Sequence, residues 1–275
     1  TANYNTTIAM PSFPTKTGYT FIGWYKDAAG QVAWNFATDK VTEDTVLYAK
    51  WSINKYSVKF DSQGGSTVAD LTANYNTTIA MPSFPTKTGY TFIGWYKDAA
   101  GQVAWNFATD KVTEDTVLYA KWSINKYSVK FDSQGGSTVA DLTANYNTTI
   151  AMPSFPAKTG YTFIGWYKDA AGQVAWNFET DKVTSNVTLY AKWILNAPVI
   201  NLIDENDTKI TGTTLANATI TVKINDVVIA TGKADSKGIF SIKIKQQKVG
   251  TELSVYAKDS TGNESSATKV KVVKK

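Results

Sequence analysis

The 275-residue chain contains no cysteine, no histidine and no arginine. Without cysteine there is neither a disulfide nor thiolate chemistry, and without histidine neither a zinc finger nor an imidazole general base can be assembled. Hydrolysis by a nucleophile–histidine triad is excluded with them, and no cofactor is implied. Every basic residue is a lysine, and the lysines are scattered, so the bidentate guanine and phosphate contacts of nucleic-acid recognition are missing and no nucleic-acid partner is expected. No apolar run approaches the ~20 residues that cross a bilayer, so the chain is not expected to span a membrane. The opening residues, TANYNTTIAM, lack a charged segment followed by an apolar core, from which the chain is expected to begin inside a larger protein.

The net charge of +5 is unevenly held. Before Asn196 there are 16 lysines against 15 acids, and from Asn196 onward 12 lysines against 8, so the first part is near neutral and the second basic. The change of texture at Asn196 coincides with the end of an internal repeat. Thr1 to Leu71 and Thr72 to Leu142 are identical, a period of 71 residues, and a third copy beginning at Thr143 keeps the pattern to Trp193. Counting back from Trp122 and Trp193, full units run over 56–122 and 127–193, joined by the four residues SINK. The first copy, 1–51, lacks the opening strand.

That strand, in YSVKFDSQGGSTVADL, alternates Tyr56, Val58 and Phe60 with Ser57 and Lys59, then turns at Gly64–Gly65 as if entering a hairpin. GYTFIGWYKD is also extended: strict alternation sends Tyr19, Phe21 and Tyr25 to one face and Thr20, Ile22 and Trp24 to the other. In the last strand of the third copy Val187, Leu189, Ala191 and Trp193 share a face, which is expected to be the inner one. Two prolines in MPSFPTKTG forbid a long helix there, and FATDKVTEDT offers at most a helical turn. From 196 to 275, tryptophan disappears. PVINLI, TKITGT, ATITVKI, VVIATGKA, GIFSIKI, TELSVYA and ATKVKVV predict seven short strands of an immunoglobulin-like sandwich without a disulfide. The fold expected is mainly β throughout.

The block YNTTIAMPSFPTKTGYTFIGWYKD, with the Gly64–Gly65 turn and the closing LYAKW, resembles the internalin B-repeat, or Listeria–Bacteroides repeat, of Gram-positive surface proteins. Gly18, Tyr19 and Trp24 carry that pattern. The resemblance covers about residues 1–193 and implies tandem small β-grasp modules, related to ubiquitin-like domains. The tail, with DENDTKITGTTLANATITVKIND and AKDSTGNES, is similar to a bacterial immunoglobulin-like domain. Together these imply the repeat region of an internalin-type adhesin at the bacterial cell wall, extracellular, with in-line monomeric modules. The implied partners are a host-cell surface protein or glycan, or a cell-wall polymer. No leucine-rich repeat and no LPxTG sorting signal stand in the chain.

Several groups are candidates for chemistry. Trp24, Trp95 and Trp166, each followed by a tyrosine (Tyr25, Tyr96 and Tyr167), are either core or one ring per copy of a glycan platform. In a module of about 70 residues, whose core is marginal, burying aromatics is the leading reading. Asp204, Glu205 and Asp207, with Asp259, Asn263 and Glu264, put oxygens suited to calcium on two loops, or simply close turns. Lys243, Lys245, Lys269, Lys271, Lys274 and Lys275 face either anionic polymers or solvent. Ser52-Ile53-Asn54-Lys55 and Lys16-Thr17-Gly18 mimic S-x-x-K and K-T-G, but the helix and the α/β scaffold which that chemistry needs are not predicted, so no enzyme is expected.

Overall fold

A computed structural model describes all 275 residues. They form two compact units, Thr1–Asn125 and Lys126–Lys275, built from 17 strands and no helix, so no helix is long and apolar enough to cross a membrane.

In the first unit, β1 (Tyr19–Tyr25) and β2 (Tyr48–Ile53) pair antiparallel as a two-stranded sheet. β3 (Lys55–Asp61), β4 (Leu71–Asn74), β5 (Tyr90–Tyr96) and β6 (Thr116–Ile124) form a four-stranded sheet in the order β4-β3-β6-β5. β3 and β6 run parallel at its centre and the outer pairs are antiparallel. A mixed sheet with its first and last strands joined in this way is compatible with a β-grasp. Alternation places Val58, Phe60, Leu118 and Ala120 inward, and irregular chain carrying Val68, Ile79 and Val112 closes over them. β3 and β4 do not make a tight hairpin: their pairing begins at Val58 and Leu71, and the long loop between is tied by Ser66 N–H to the Thr86 carbonyl. β1 and β2 have no counterpart of β3, so their sheet ends at β2.

The strict alternation read in GYTFIGWYKD is corrected by a bulge. Phe21 pairs with Trp51 but Gly23 with Lys50, which leaves Ile22 unpaired and 52% exposed. The slip brings Phe21 and Trp24, three residues apart, to one face, with ring centroids 5.6 Å apart. The same slip recurs between Phe92 and Gly94.

In the second unit, β7 (Lys126–Asp132), β8 (Leu142–Asn145), β9 (Tyr161–Tyr167) and β10 (Val187–Leu195) repeat the mixed sheet in the order β8-β7-β10-β9. Leu189 and Ala191 are buried on the expected inner face of β10. The seven strands expected from Asn196 onward are all present. They are β11 (Val199–Ile200), β12 (Lys209–Thr213), β13 (Thr219–Ile224), β14 (Val227–Lys233), β15 (Ile239–Lys243), β16 (Glu252–Lys258) and β17 (Thr268–Lys271). They lie in a β11-β12-β15 sheet and a β14-β13-β16-β17 sheet, packed around Ile210, Ile220, Phe240, Leu253 and Val255. β10 continues past Trp193, and Leu195 at its end belongs to this sandwich core, with Tyr161 packed against it.

Candidate functional site

The paired aromatics do not make an exposed platform. Trp95 is 2% exposed, its indole packed edge-on against Phe60 at 4.8 Å and Phe92 at 5.5 Å, and Trp166 is held identically by Phe131 and Phe163. A buried indole offers no face to a sugar, so at Trp95 and Trp166 the platform reading is corrected: the bulge turns both rings into the core. Trp24 is half-buried, because copy one has no equivalent of Phe60 to cover it. The tyrosines stay half-buried, but each has a lysine from the neighbouring strand over its ring: Lys50 on Tyr25 at 5.0 Å, Lys121 on Tyr96 at 4.9 Å and Lys192 on Tyr167 at 4.9 Å.

The acidic loops do not converge either. No group of three His, Cys, Asp or Glu side chains is placed to hold a metal ion. Asp204 and Asp207 close a local turn: Asp204 N–H donates to Asp207 Oδ2 and Asn206 N–H to Asp204 Oδ1, both at 2.8 Å. Asp259 is 8% exposed, and its carboxylate accepts five hydrogen bonds. The donors are Tyr161 Oη (2.7 Å), Thr261 N–H and Oγ1, and Asn263 N–H and Nδ2. The lone pairs of Asp259 are thus engaged within the protein, and Asp204 and Asp207 each use one oxygen on their own turn.

Asp259 is instead part of a joint that the sequence reading missed. Burial alone would raise its pKa, but the donors from Tyr161, Thr261 and Asn263 outweigh it and hold the carboxyl below the usual range. Burial first, and then the bond and charge of Asp259, push the Tyr161 hydroxyl up to about 12. Next to Tyr161, Gly160 has φ +79°, and a Cβ added there would lie 2.7 Å from Leu215 Cδ1 of the sandwich. Asn196 N–H donates to the Gly160 carbonyl (2.9 Å) and Thr162 Oγ1 to Asn196 Oδ1 (2.7 Å).

In the first unit the same joint links copies one and two. Asn54 N–H donates to the Gly18 carbonyl, Thr20 Oγ1 to Asn54 Oδ1, and Tyr75 N–H to the Asn54 carbonyl. The Tyr75 ring lies where a Cβ of Gly18 would stand. Left-handed φ and close approach both demand glycine at Gly18 and Gly160, and Gly89 shares the left-handed φ.

The remaining candidates are dispersed. Lys243, Lys245, Lys271, Lys274 and Lys275 are exposed, and Lys269 pairs with Glu252 at 3.1 Å. Ser52 lies on β2 opposite Thr20, not at the start of a helix, so S-x-x-K has no catalytic geometry.

The repeat segments 1–50, 56–121 and 127–192 match the Listeria-Bacteroides repeat domain, and 196–274 match a bacterial Ig domain. The chain is 46% identical over 195 residues to a putative membrane protein of Evansella cellulosilytica, covering 71% of this chain and 29% of that protein. It is 43% identical over 143 residues to internalin H of Listeria monocytogenes, covering 51% of this chain and 25% of that protein. A cell wall-associated protease of Bacillus subtilis is 46% identical over 78 residues, 28% of this chain and 9% of that protein. The chain thus spans less than a third of each of these relatives.

Proposed function

The chain belongs to the Listeria–Bacteroides repeat family, and on that premise we propose that it is the stalk of an extracellular, cell-wall-associated bacterial surface protein. Four modules, 1–51, 56–122, 127–193 and 196–275, act in series to carry a recognition domain away from the wall and so serve attachment to a host surface. The stalk performs no catalysis of its own. The observation that carries this reading is the repeated joint. A glycine seat, a following asparagine and an inserted ring or leucine fix one module to the next at Gly18–Tyr75 and at Gly160–Leu215, by backbone hydrogen bonds and packing rather than by a flexible tether. Internalin H, a relative over half of this chain, and the cell wall-associated protease, a relative over a shorter stretch, are in keeping with a surface location.

The test varies copy number. The chain is anchored by its C-terminal end to a flat support with a fluorophore at the other end, and the height of the fluorophore is measured with one, two and three repeats. A stalk raises the fluorophore by the same increment per copy. A height that does not grow with copy number would overturn the reading.

A further inference from the structure

Both full repeats contain a cleft whose walls are cationic. In copy two it measures about 290 Å3 and is lined by Gln63, Lys87, Gly101, Lys121 and Trp122. Lys87 Nζ donates to the Gln63 carbonyl at 2.9 Å and stands 4.6 Å from the centre of the Tyr90 ring and 5.8 Å from that of Trp122. Lys121 Nζ donates to the Gly101 carbonyl at 2.9 Å. Copy three repeats each element with Gln134, Lys158, Gly172, Lys192 and Trp193, in a cleft of about 260 Å3 that Asn263 of the sandwich also lines.

No carboxylate lines either cleft. The four ion pairs of the chain, Lys26–Asp39, Lys97–Asp110, Lys168–Asp181 and Lys269–Glu252, all lie elsewhere. None of the cleft lysines is ion-paired, and in copy three the Asp259 carboxylate behind the lining is engaged by Tyr161 and Asn263. Each ammonium group uses one of its three donors on a backbone carbonyl and keeps the others for a ligand, and the carbonyl and the aromatic ring restrain a stem that otherwise loses much rotamer freedom on binding.

We infer that these clefts bind an oxyanion, a carboxylate or a phosphodiester, carried on a sugar- or polyol-based polymer. The anion compensates the lysine pair, and the indole of Trp122 or Trp193 supplies an apolar edge for the carbon skeleton beside it. A neutral sugar leaves the charges uncompensated, and a metal ion is repelled by them. Copy one holds Lys50 on the Gly30 carbonyl but lacks the strand and turn that bring Gln63, so it has no carbonyl to fix the second lysine. The site is thus present twice, once in each unit.

This inference does not depend on the stalk reading, since a spacer needs no ligand. Binding of the full chain to three probes tests it at 50 and 150 mM salt: hyaluronan for the carboxylate, poly(glycerol phosphate) for the phosphodiester, and dextran as the neutral control. One or both anionic probes bind, more weakly at the higher salt, and dextran does not. Binding to hyaluronan alone identifies an acidic glycan as the source, and binding to poly(glycerol phosphate) alone a wall-type polymer. The Lys87→Gln/Lys158→Gln variant loses about tenfold in affinity, whereas Lys243→Gln/Lys245→Gln on the sandwich changes it by less than about twofold. Should the cleft variant unfold, the wild-type chain decides by NMR, because the Cε signals of Lys87, Lys121, Lys158 and Lys192 then shift with the probe before those of other lysines. No binding to either anionic probe at 50 mM salt, equal losses from both variants, or a uniform shift of all lysine signals would overturn the inference.

Discussion

The Tyr161 hydroxyl and the Asp259 carboxylate stand 98 residues apart in the chain and 2.7 Å apart in space, so one proton sits at the joint between the last repeat and the sandwich. The signs of the two shifts define when that bond contributes. Asp259 has a depressed folded pKa, so its stabilisation is present above the ordinary carboxyl value of 3.8 and is lost as pH falls through the folded value. Tyr161 has a raised one, so its contribution is complete below the ordinary value of 10 and is lost as pH rises toward about 12. The joint is therefore constant from about pH 4 to pH 10. Tyr161→Phe removes a hydrogen bond to a charged acceptor and is expected to cost the joint about 1.5–3 kcal/mol, seen as faster amide exchange at 257–265 near neutral pH. It also removes from an ultraviolet scan of tyrosinate formation the phenol that titrates toward about pH 12. Unchanged exchange would mean that Leu215 and the backbone bonds hold the joint without the hydroxyl.

At the scale of the element, the decisive feature is a strand that copy one does not have. In copies two and three Val58 and Val129 are fully buried and Phe60 and Phe131 nearly so; β1 and β2 have no such residues to close on, and Trp34 is the one buried apolar side chain of that copy. At about 1.5–3 kcal/mol for each large apolar side chain buried, copy one is expected to open about 3–6 kcal/mol more easily than copy two. Amide exchange of β1 and β2 measured against β5 and β6 checks this, and equal protection would show that the missing strand is dispensable. Much of this architecture could be read from spacing. The seven sandwich strands and the inner face of β10 follow from period-two patterns, and the absence of a long helix from Pro11 and Pro14. The bulge was not legible, because Phe21-Ile22-Gly23-Trp24 looks like unbroken alternation and the extra residue shows only when a partner strand is laid beside it. The lysine clefts were hidden for the same reason: Lys87 comes from a turn and Lys121 from the last strand, and neither position is distinctive alone. The joint pairs two modules whose local patterns say nothing of each other.

For the whole molecule, the nine tryptophans give one collective readout. All lie in the repeats and none is exposed: Trp34, Trp95 and Trp166 are buried and the other six half-buried. The intact chain is expected to emit at short wavelength and to resist quenching by iodide, with Trp24 the most accessible of the rings at the aligned position; red-shifted emission with a third of the signal quenchable would return the aromatic platform to consideration. The joint has a further consequence. Gly18 receives a tyrosine from the next repeat and Gly160 a leucine from a sandwich, while Asn54 and Asn196 close both in the same way. The same glycine-and-asparagine seat thus accepts plugs of different shape, so a repeat can be followed by another repeat or by an unrelated sandwich.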